Sequence, residues 1–519
     1  MFAQTVLQAC LDLGVRDFCV CAGSRNSDLV HGLLQNRDKI RILPFFEERS
    51  AAFFGLGLLQ IARTPVAIVT TSGTAVAELL PAVIEAYYQA RPLLLITADR
   101  PKRYRGSGAP QAIDQSQLFG IYARAFDIES DEDVIDLTTL TQDQPIHLNV
   151  CLEEPSAAPP QMSLSVSAST PTDLSVSSTD QALLETFLQQ DSPLLVIAGC
   201  LNPHEDLINT LLHLKAPILA DATSGLHAEP RLHSLLIRGG DQTARRLAFS
   251  RVLRIGGVPS FRTWRDLETK PEVEVFSLTQ RPFSGLARPS QWIMGDTFPL
   301  KRSQQTTPNQ WREQEAASAE RLEALLDQYP VSEPACLRHL LSIIPSQAQL
   351  FVGNSLPIRE LSLVAARAMP WPVFSNRGAN GIDGNLSTFL GIACGPHARE
   401  SWGIFGDLTT LYDLAAPAIL AEMHEEAPMR IVVINNGGGK IFRRLPHFQG
   451  LPPQDTAVVE NHHRFDFESW ARSWGLDYHC HTDITIDPQS WPTRVVIELR
   501  PNATQTEAFW QTWQDSKIS

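Results

Sequence analysis

No CxxC pair occurs among the eight cysteines of this 519-residue sequence. Cys10, Cys19, Cys21, Cys151, Cys200, Cys336, Cys394 and Cys480 are scattered, mostly through apolar segments. That pattern excludes a zinc-knuckle spacing and a disulfide framework, and it points to buried free thiols in a reducing compartment. No apolar run approaches the ~20 residues that a membrane span needs. Positive charge is in deficit, with 43 Lys and Arg against 57 Asp and Glu and a formal net charge of −14. A nucleic-acid partner is therefore disfavoured, and anionic small molecules would need arginines gathered locally. No GxGxxG follows a strand pattern in the middle of the chain, which argues against a nicotinamide or flavin site. The opening stretch MFAQTVLQACLDLG reads as an amphipathic helix carrying Asp12, not as a secretory leader, so a cytoplasmic protein is expected.

What is present is a regular alternation of strands and helices. Hydrophobic residues make up 43% and charged residues 19%, ordinary values for a globular chain, and the length predicts two to four domains. Residues 1–152 carry short, nearly continuous apolar strands at 17–21, 40–44, 65–70, 93–97 and 147–150. Separated by helical patterns, such strands indicate a parallel sheet covered on both faces. Residues 153–182 are dense in Ser, Pro and Thr without helical period and read as a linker. A central α/β domain over 183–330 follows, with strands at 193–198, 217–220, 252–255, 273–277 and 291–294 and a charged helix at 310–328. Residues 331–519 alternate strands and helices again, and no sequence repeat relates them to the first domain. The fold class expected is α/β, with three doubly wound parallel-sheet domains.

The stretch 402–446 organises the last domain. A strand at 402–405 stops at Gly406-Asp407, and a β-branched strand at 430–434 stops at Asn435-Asn436 and three glycines. Between them Leu411, Leu414, Ile419 and Leu420 recur at roughly helical spacing, with a helix start near Thr409. A right-handed crossover of this length makes the two strands parallel and puts both polar turns at one edge of the sheet. A carboxylate, an amide oxygen and glycines beside a helix N-terminus describe a Mg²⁺–phosphate site. In the first domain four strand-end turns stand out: Gly23-Ser24-Arg25, Glu47-Glu48-Arg49-Ser50, Thr71-Ser72-Gly73-Thr74, and Asp99-Arg100-Pro101 with Gln111 close behind.

Together these segments resemble a known family. Gly-Asp-X, 26 residues (Thr409 to Ile434) and Asn-Asn is similar to the cofactor signature of thiamine-diphosphate-dependent enzymes. GSR, EERSAAFF, TTSGTA, PAVIEA, LLLITADRP, GAPQAIDQ, GNSLPIR, SNRGANGIDG and NNGGGKIF resemble one branch of them, the synthases of menaquinone biosynthesis that use 2-oxoglutarate and isochorismate. The resemblance is strong in the first and last domains and weak in the central one. It implies thiamine diphosphate with Mg²⁺, for which Mn²⁺ can substitute, held by Asp407, Asn436 and the Gly438 carbonyl. Ser72, Gly73, Thr74, Gly406 and Leu408 would touch the cofactor, and Glu48 would be the catalytic carboxyl at its pyrimidine ring. The implied reaction is decarboxylation of 2-oxoglutarate and conjugate addition of the resulting succinyl-semialdehyde carbanion equivalent to isochorismate.

By the same resemblance, the two dicarboxylates would meet Arg25, Arg100, Arg262, Arg359 and Arg377, with Ser24, Gln111 and Ser355 as hydrogen-bond partners. Ile441, Phe442 and Leu445 would form the apolar side. The pyrimidine would lie on the first domain of one copy and the diphosphate on the last domain of another, so a homodimer or a dimer of dimers is implied, with neither nucleic acid nor membrane as partner. The chain departs from the family pattern at Ala22, Glu47, Gly437, Lys440, Arg443 and Arg444. Two alternatives stay open: another thiamine-diphosphate-dependent 2-oxoacid decarboxylase or carboligase, and a cofactor-binding scaffold without turnover.

Overall fold

The computed structural model of the chain describes residues 2–62, 64–141, 143–155, 161–166, 178–280, 282–295, 310–365, 369–395, 399–423, 428–483 and 491–514. Segments 156–160 and 167–177 of the expected linker lie outside them. The described strands form three sheets, and every pairing is parallel. The first contains β1 (Asp17–Cys21), β2 (Arg41–Phe45), β3 (Val66–Thr70), β4 (Leu93–Asp99), β5 (Arg124–Ile128) and β6 (Ile146–Cys151), in the order β2-β1-β3-β4-β6-β5. The second contains β7 (Leu194–Ala198), β8 (Ile218–Ala220), β9 (Arg251–Ile255), β10 (Glu274–Thr279) and β11 (Gln291–Met294), in the order β11-β10-β9-β7-β8. The third contains β12 (Gln349–Val352), β13 (Val373–Phe374), β14 (Ser401–Gly406), β15 (Met429–Ile434), β16 (Asp477–His481) and β17 (Arg494–Leu499), in the order β13-β12-β14-β15-β17-β16.

The first and third sheets follow the same strand order although their sequences do not repeat. In each, the connections reverse direction between the first and third strands of the set. That reversal opens a crevice at the carboxyl ends of β1 and β3, and of β12 and β14, where doubly wound folds bind ligands. The turns singled out in the sequence, 23–26 and 71–74 in one sheet and 353–355 and 406–408 in the other, all leave from those strand ends.

By compactness the chain divides into two units. One comprises residues 1–172, 378–398 and 409–427, and the other residues 173–377, 399–408 and 428–519. In the first unit the sheet is sealed on one face by the helices Phe2–Asp12 and Ser27–Leu34, through Leu7, Leu11, Leu29 and Leu33 against Phe18, Val69 and Ile96. In the second unit the helix Gln310–Gln328 contributes Leu322, Leu325 and Leu326 to a core shared with Leu350, Ile404, Val432 and Ile497.

Two elements differ from the sequence reading. β5, RAFDI, was hidden because it is an edge strand with its first two residues exposed and no continuous apolar run. The helix expected from Thr409 starts at Asp407 and ends at Tyr412, and the chain continues as a 3₁₀ turn over Ala416–Glu422. Pro417 at the start of that turn has no N–H with which to extend the preceding helix.

The helix Glu48–Ile61 crosses the helix Asn385–Ala393 within the first unit at very short range. A Cβ on Gly57 would lie 2.0 Å from the Thr388 carbonyl oxygen, and one on Gly391 would lie 2.1 Å from that of Phe54. Because both obstacles are backbone, Gly57→Ala should destabilise the fold by about 1–3 kcal/mol, as overpacking does. A lower urea midpoint at unchanged slope is the expected reading.

Candidate active site

The parallel register pairs Gly406 with Ile434, so Asp407 and Asn435-Asn436 emerge side by side at one sheet edge. Asp407 is buried, and its Oδ2 accepts backbone hydrogen bonds from Gly437 at 2.8 Å and Gly438 at 2.9 Å. Its Oδ1 accepts from the Leu408 N–H at 2.7 Å, and His463 Nε2 lies 3.2 Å from Oδ2. The glycine loop needs its glycines. Gly437 has φ of +82°, and a Cβ on Gly438 would lie 2.4 Å from the Glu460 carbonyl oxygen. The departure at Gly437 therefore suits the backbone of the turn.

Asn436 Nδ2 donates to Glu333 Oε2 at 2.9 Å, while Asn436 Oδ1 is buried with no hydrogen-bond partner among the described residues. An orphaned buried amide oxygen is costly unless something else engages it. With the Asp407 carboxylate and the Gly438 carbonyl, which accepts from Lys440 N–H at 2.8 Å, it supplies hard oxygen donors of the kind Mg²⁺ takes. The residues present fit that ion. No cluster of three or more His, Cys, Asp or Glu able to hold a metal occurs among the described residues, so a site here draws on an amide and a carbonyl.

Behind Asn436 lies a pair of carboxyl groups that the sequence did not announce. Burial pushes Glu333 above the usual carboxylate range, and burial plus the neighbouring Glu333 pushes Glu360 further up. Arg444 stands 3.7 Å from Glu360, its guanidinium 3.8 Å from the centre of the Trp510 ring.

Arg444 also borders a cavity of about 730 Å³ within the second unit. Of the expected substrate residues, Arg262, Arg359, Ile441, Phe442 and Leu445 line it, joined by Arg245 and Arg265. Arg262 and Arg245 share Asp266. Arg359 and Arg265 pair with no carboxylate among the described residues. The Arg359 guanidinium donates to the Ser355 carbonyl at 2.5 Å, and Ser355 holds φ of +74° at the start of the helix Leu356–Val364. Surrounding protein, and then the positive charges of Arg377, Arg265 and Arg444, push Arg359 down to about 10.

Arg377 is differently placed. It is buried and donates to Asp221 at 3.2 Å, Ser260 at 2.6 Å and Asn354 at 3.0 Å, so its charge is already matched. The extra basic residues of the glycine loop are matched too. Lys440 and Arg443 both ion-pair with Glu460.

In the first unit, Glu47 caps the helix that Glu48 opens, accepting from the Arg49 and Ser50 N–H groups at 3.2 and 2.9 Å. Glu48 is left half-buried, with no other described side chain hydrogen-bonded to its carboxyl. Burial, and then repulsion from Glu47 and Glu78, raise it above the usual carboxylate range. Gly73 has φ of +87°, and its N–H donates to Gln115 Oε1 at 3.2 Å. Ser72 is buried beside it and Thr74 is exposed. A Cβ on Gly73 would lie 3.2 Å from the Gln111 Cα, which brings Gln111, itself at φ of +57°, against this turn.

Arg25 is buried and Ser24 exposed. Asn26 fixes their turn by accepting from Gly23 N–H at 2.7 Å and donating to the Cys21 carbonyl at 2.9 Å. Glu154 brings Arg25 and Arg100 together, at 2.5 and 3.4 Å. Glu85, within the PAVIEA motif, accepts from the Gly378 and Ala379 N–H groups at 2.6 and 2.7 Å and so fixes the GANG loop.

Residues 1–118 match the family model described as thiamine pyrophosphate enzyme, N-terminal TPP binding domain. The chain is 39% identical to a 2-succinyl-5-enolpyruvyl-6-hydroxy-3-cyclohexene-1-carboxylate synthase of Bdellovibrio bacteriovorus, over 98% of each chain. It is 40% identical to the protein of the same name from Akkermansia muciniphila, over 98% of this chain and 97% of that one. Among solved structures, benzoylformate decarboxylase from Polynucleobacter necessarius superposes with a TM-score of 0.72 over 96% of this chain and 98% of that one, at 14% identity, which shows a shared fold.

Glu460 gives a pH signature. Its burial opposes ionisation, yet hydrogen bonds from Arg443, Lys440 and His462 hold it down at about 2, against an ordinary 4.5. A carboxyl depressed by folding contributes stability above its unfolded value and loses it as pH falls toward its folded one. The difference in thermal midpoint between the parent and Glu460→Gln should be constant above about pH 5 and shrink between 4.5 and about 2.

Proposed function

We propose that this chain, which belongs to the family of 2-succinyl-5-enolpyruvyl-6-hydroxy-3-cyclohexene-1-carboxylate synthases, decarboxylates 2-oxoglutarate and joins the four-carbon remainder to isochorismate. It is a thiamine-diphosphate-dependent enzyme of menaquinone biosynthesis. The observation that supports the substrate assignment is a pair of guanidinium groups at the cavity wall that have no carboxylate partner among the described residues. They are Arg359, held down to about 10, and Arg265, in a chain of net charge −14. A dicarboxylate supplies the missing charges, and planar guanidinium groups bind it in bidentate fashion.

In this reading Arg359 and Arg262 hold substrate carboxylates and Ser355 shapes their approach. Ile441, Phe442 and Leu445 exclude water from the reacting end. Asp407, Asn436 and the Gly438 carbonyl hold Mg²⁺ or Mn²⁺, and Gly406 and Leu408 line the diphosphate. Glu48 meets the pyrimidine, and burial raises its pKa above the usual carboxylate range, the direction that suits a carboxyl sharing a proton. Ser72, Gly73 and Thr74 close over the cofactor. Ser24, Arg25, Arg100 and Gln111 form a second polar cluster for substrate, and Arg377 supports the cavity from behind through Ser260. The cofactor, when bound, supplies the electron sink that decarboxylation needs, and the protein supplies binding and electrostatics.

Residues 1–152 form the pyrimidine domain, 183–330 the central domain and 331–519 the diphosphate domain, with a linker at 153–182. No helix among the described residues is long and apolar enough to cross a membrane. The enzyme acts in the cytoplasm as at least a homodimer that brings the two cofactor-binding ends of different copies together.

Two experiments bear on this. Protein loaded with thiamine diphosphate and Mg²⁺ should consume 2-oxoglutarate and isochorismate together, and Arg359→Ala should raise KM for 2-oxoglutarate about 10- to 100-fold, the worth of a charged hydrogen bond. Failure to consume either substrate would sink the assignment. Mixing the inactive variants Glu48→Gln and Asp407→Ala after subunit exchange should restore up to about a quarter of parent activity, since one site of each hybrid dimer is then intact. No recovery in verified hybrids would exclude a shared site.

A further inference from the structure

Both asparagines that end β15 hand their amide hydrogens to glutamates remote in sequence. Asn435 Nδ2 donates to Glu498 Oε1 at 2.7 Å, and Asn436 Nδ2 donates to Glu333 Oε2 at 2.9 Å. Glu498 and Glu333 are 0% and 2% exposed. Each is anchored independently of the glycine loop. Glu498 lies in β17 and also accepts from Tyr478 Oη and Arg500 Nε, both at 2.5 Å. Glu333 opens the helix Glu333–Ile343, where Ser332 is the cap, and its own N–H donates to Thr506 Oγ1 at 3.0 Å.

An amide side chain has an oxygen end and a nitrogen end, and a hard cation takes only the oxygen. A fixed acceptor for the nitrogen therefore decides which way the oxygen points. The two asparagines are sorted by what remains. Asn435 Oδ1 accepts from Gly437 N–H at 3.2 Å and tightens the turn. Asn436 Oδ1 stays buried without a partner among the described residues.

We propose that Glu333 is a positioning residue for the metal: it accepts from the Asn436 amide nitrogen and so locks the amide oxygen toward the cation that Asp407 shares. The inference rests on the reading of Asp407 and Asn436 as metal ligands. It makes the acceptor geometry of Glu333, rather than its charge, the working feature. Outer-shell partners of metal ligands typically contribute about 10- to 100-fold in metal affinity.

Two substitutions separate geometry from charge. Glu333→Gln keeps a carbonyl oxygen at the same reach and removes the charge. Glu333→Asp keeps the charge and withdraws the acceptor by one methylene. Mn²⁺ affinity of the full-length protein, with thiamine diphosphate in fixed excess, is read from the free-ion electron paramagnetic resonance signal, alongside circular dichroism to verify folding. Glu333→Gln should bind Mn²⁺ within about threefold of the parent and Glu333→Asp at least about tenfold more weakly. The reverse order, equal loss in both, or no loss in either overturns the proposal. Asn436→Ala distinguishes the two levels of failure. If it binds Mn²⁺ like the parent, the ligand reading itself is wrong. If it binds weakly while Glu333→Asp does not, only the role of Glu333 falls.

Discussion

One carboxylate oxygen, Asp407 Oδ2, accepts the backbone N–H groups of both Gly437 and Gly438 and thereby ties the end of β14 to the end of β15. The strands are already parallel neighbours, but register alone does not fix the loops that leave them. A glycine loop with two residues at positive φ has many open conformations and a large entropy to lose on ordering. The two N–H bonds select one of them, and that one leaves the Asn436 amide oxygen buried and unengaged. Substitution at Asp407 would therefore disturb the shape of the site as well as remove a ligand.

The rest of the second unit manages charge around that knot. The chain is acidic overall, yet its cavity is rimmed with arginines, and what distinguishes them is the company each keeps. Arg262 and Arg245 share Asp266 and Arg444 faces Glu360, while Arg377, Lys440 and Arg443, which do not line the cavity, have Asp221 and Glu460. Among the described residues Arg359 and Arg265 have no such partner, and burial, then its neighbours' positive charge, pushes Arg359 down. An anion-binding site is best recognised by this imbalance. A guanidinium with its carboxylate already in place adds little attraction for a substrate, whereas an unmatched one at a cavity wall offers its full donor fork.

The sequence made the parallel strands legible because central strands such as β3, β4 and β15 are buried along their whole length and read as nearly continuous apolar runs. It made the strand-end turns legible because their residues are constrained by backbone conformation. Gly73 and Gly437 need positive φ, and Gly438 faces a carbonyl that leaves no room for a Cβ. It did not reveal β5, whose edge position leaves no apolar period, nor the break after Tyr412. The matched state of Arg377 was also invisible, since its partners come from residues 221, 260 and 354.

The least legible residues share a physical character. Glu333, Glu498, Glu460, Glu85 and Gln115 are polar side chains at most 3% exposed, and each has a hydrogen-bond partner well away from it in the chain. In the sequence Glu333 looks like a favourable first-turn acid and Glu498 like one polar residue in a strand. Burying such groups is tolerable only when their hydrogen-bonding capacity is met. That requirement makes them structural determinants of the loops they hold. A motif announces the atoms that touch a ligand, because the chemistry restricts their identity and spacing. The groups that aim those atoms are restricted only by where the fold delivers them, so they become visible only once the sheet is closed and the burial of each carboxylate is known.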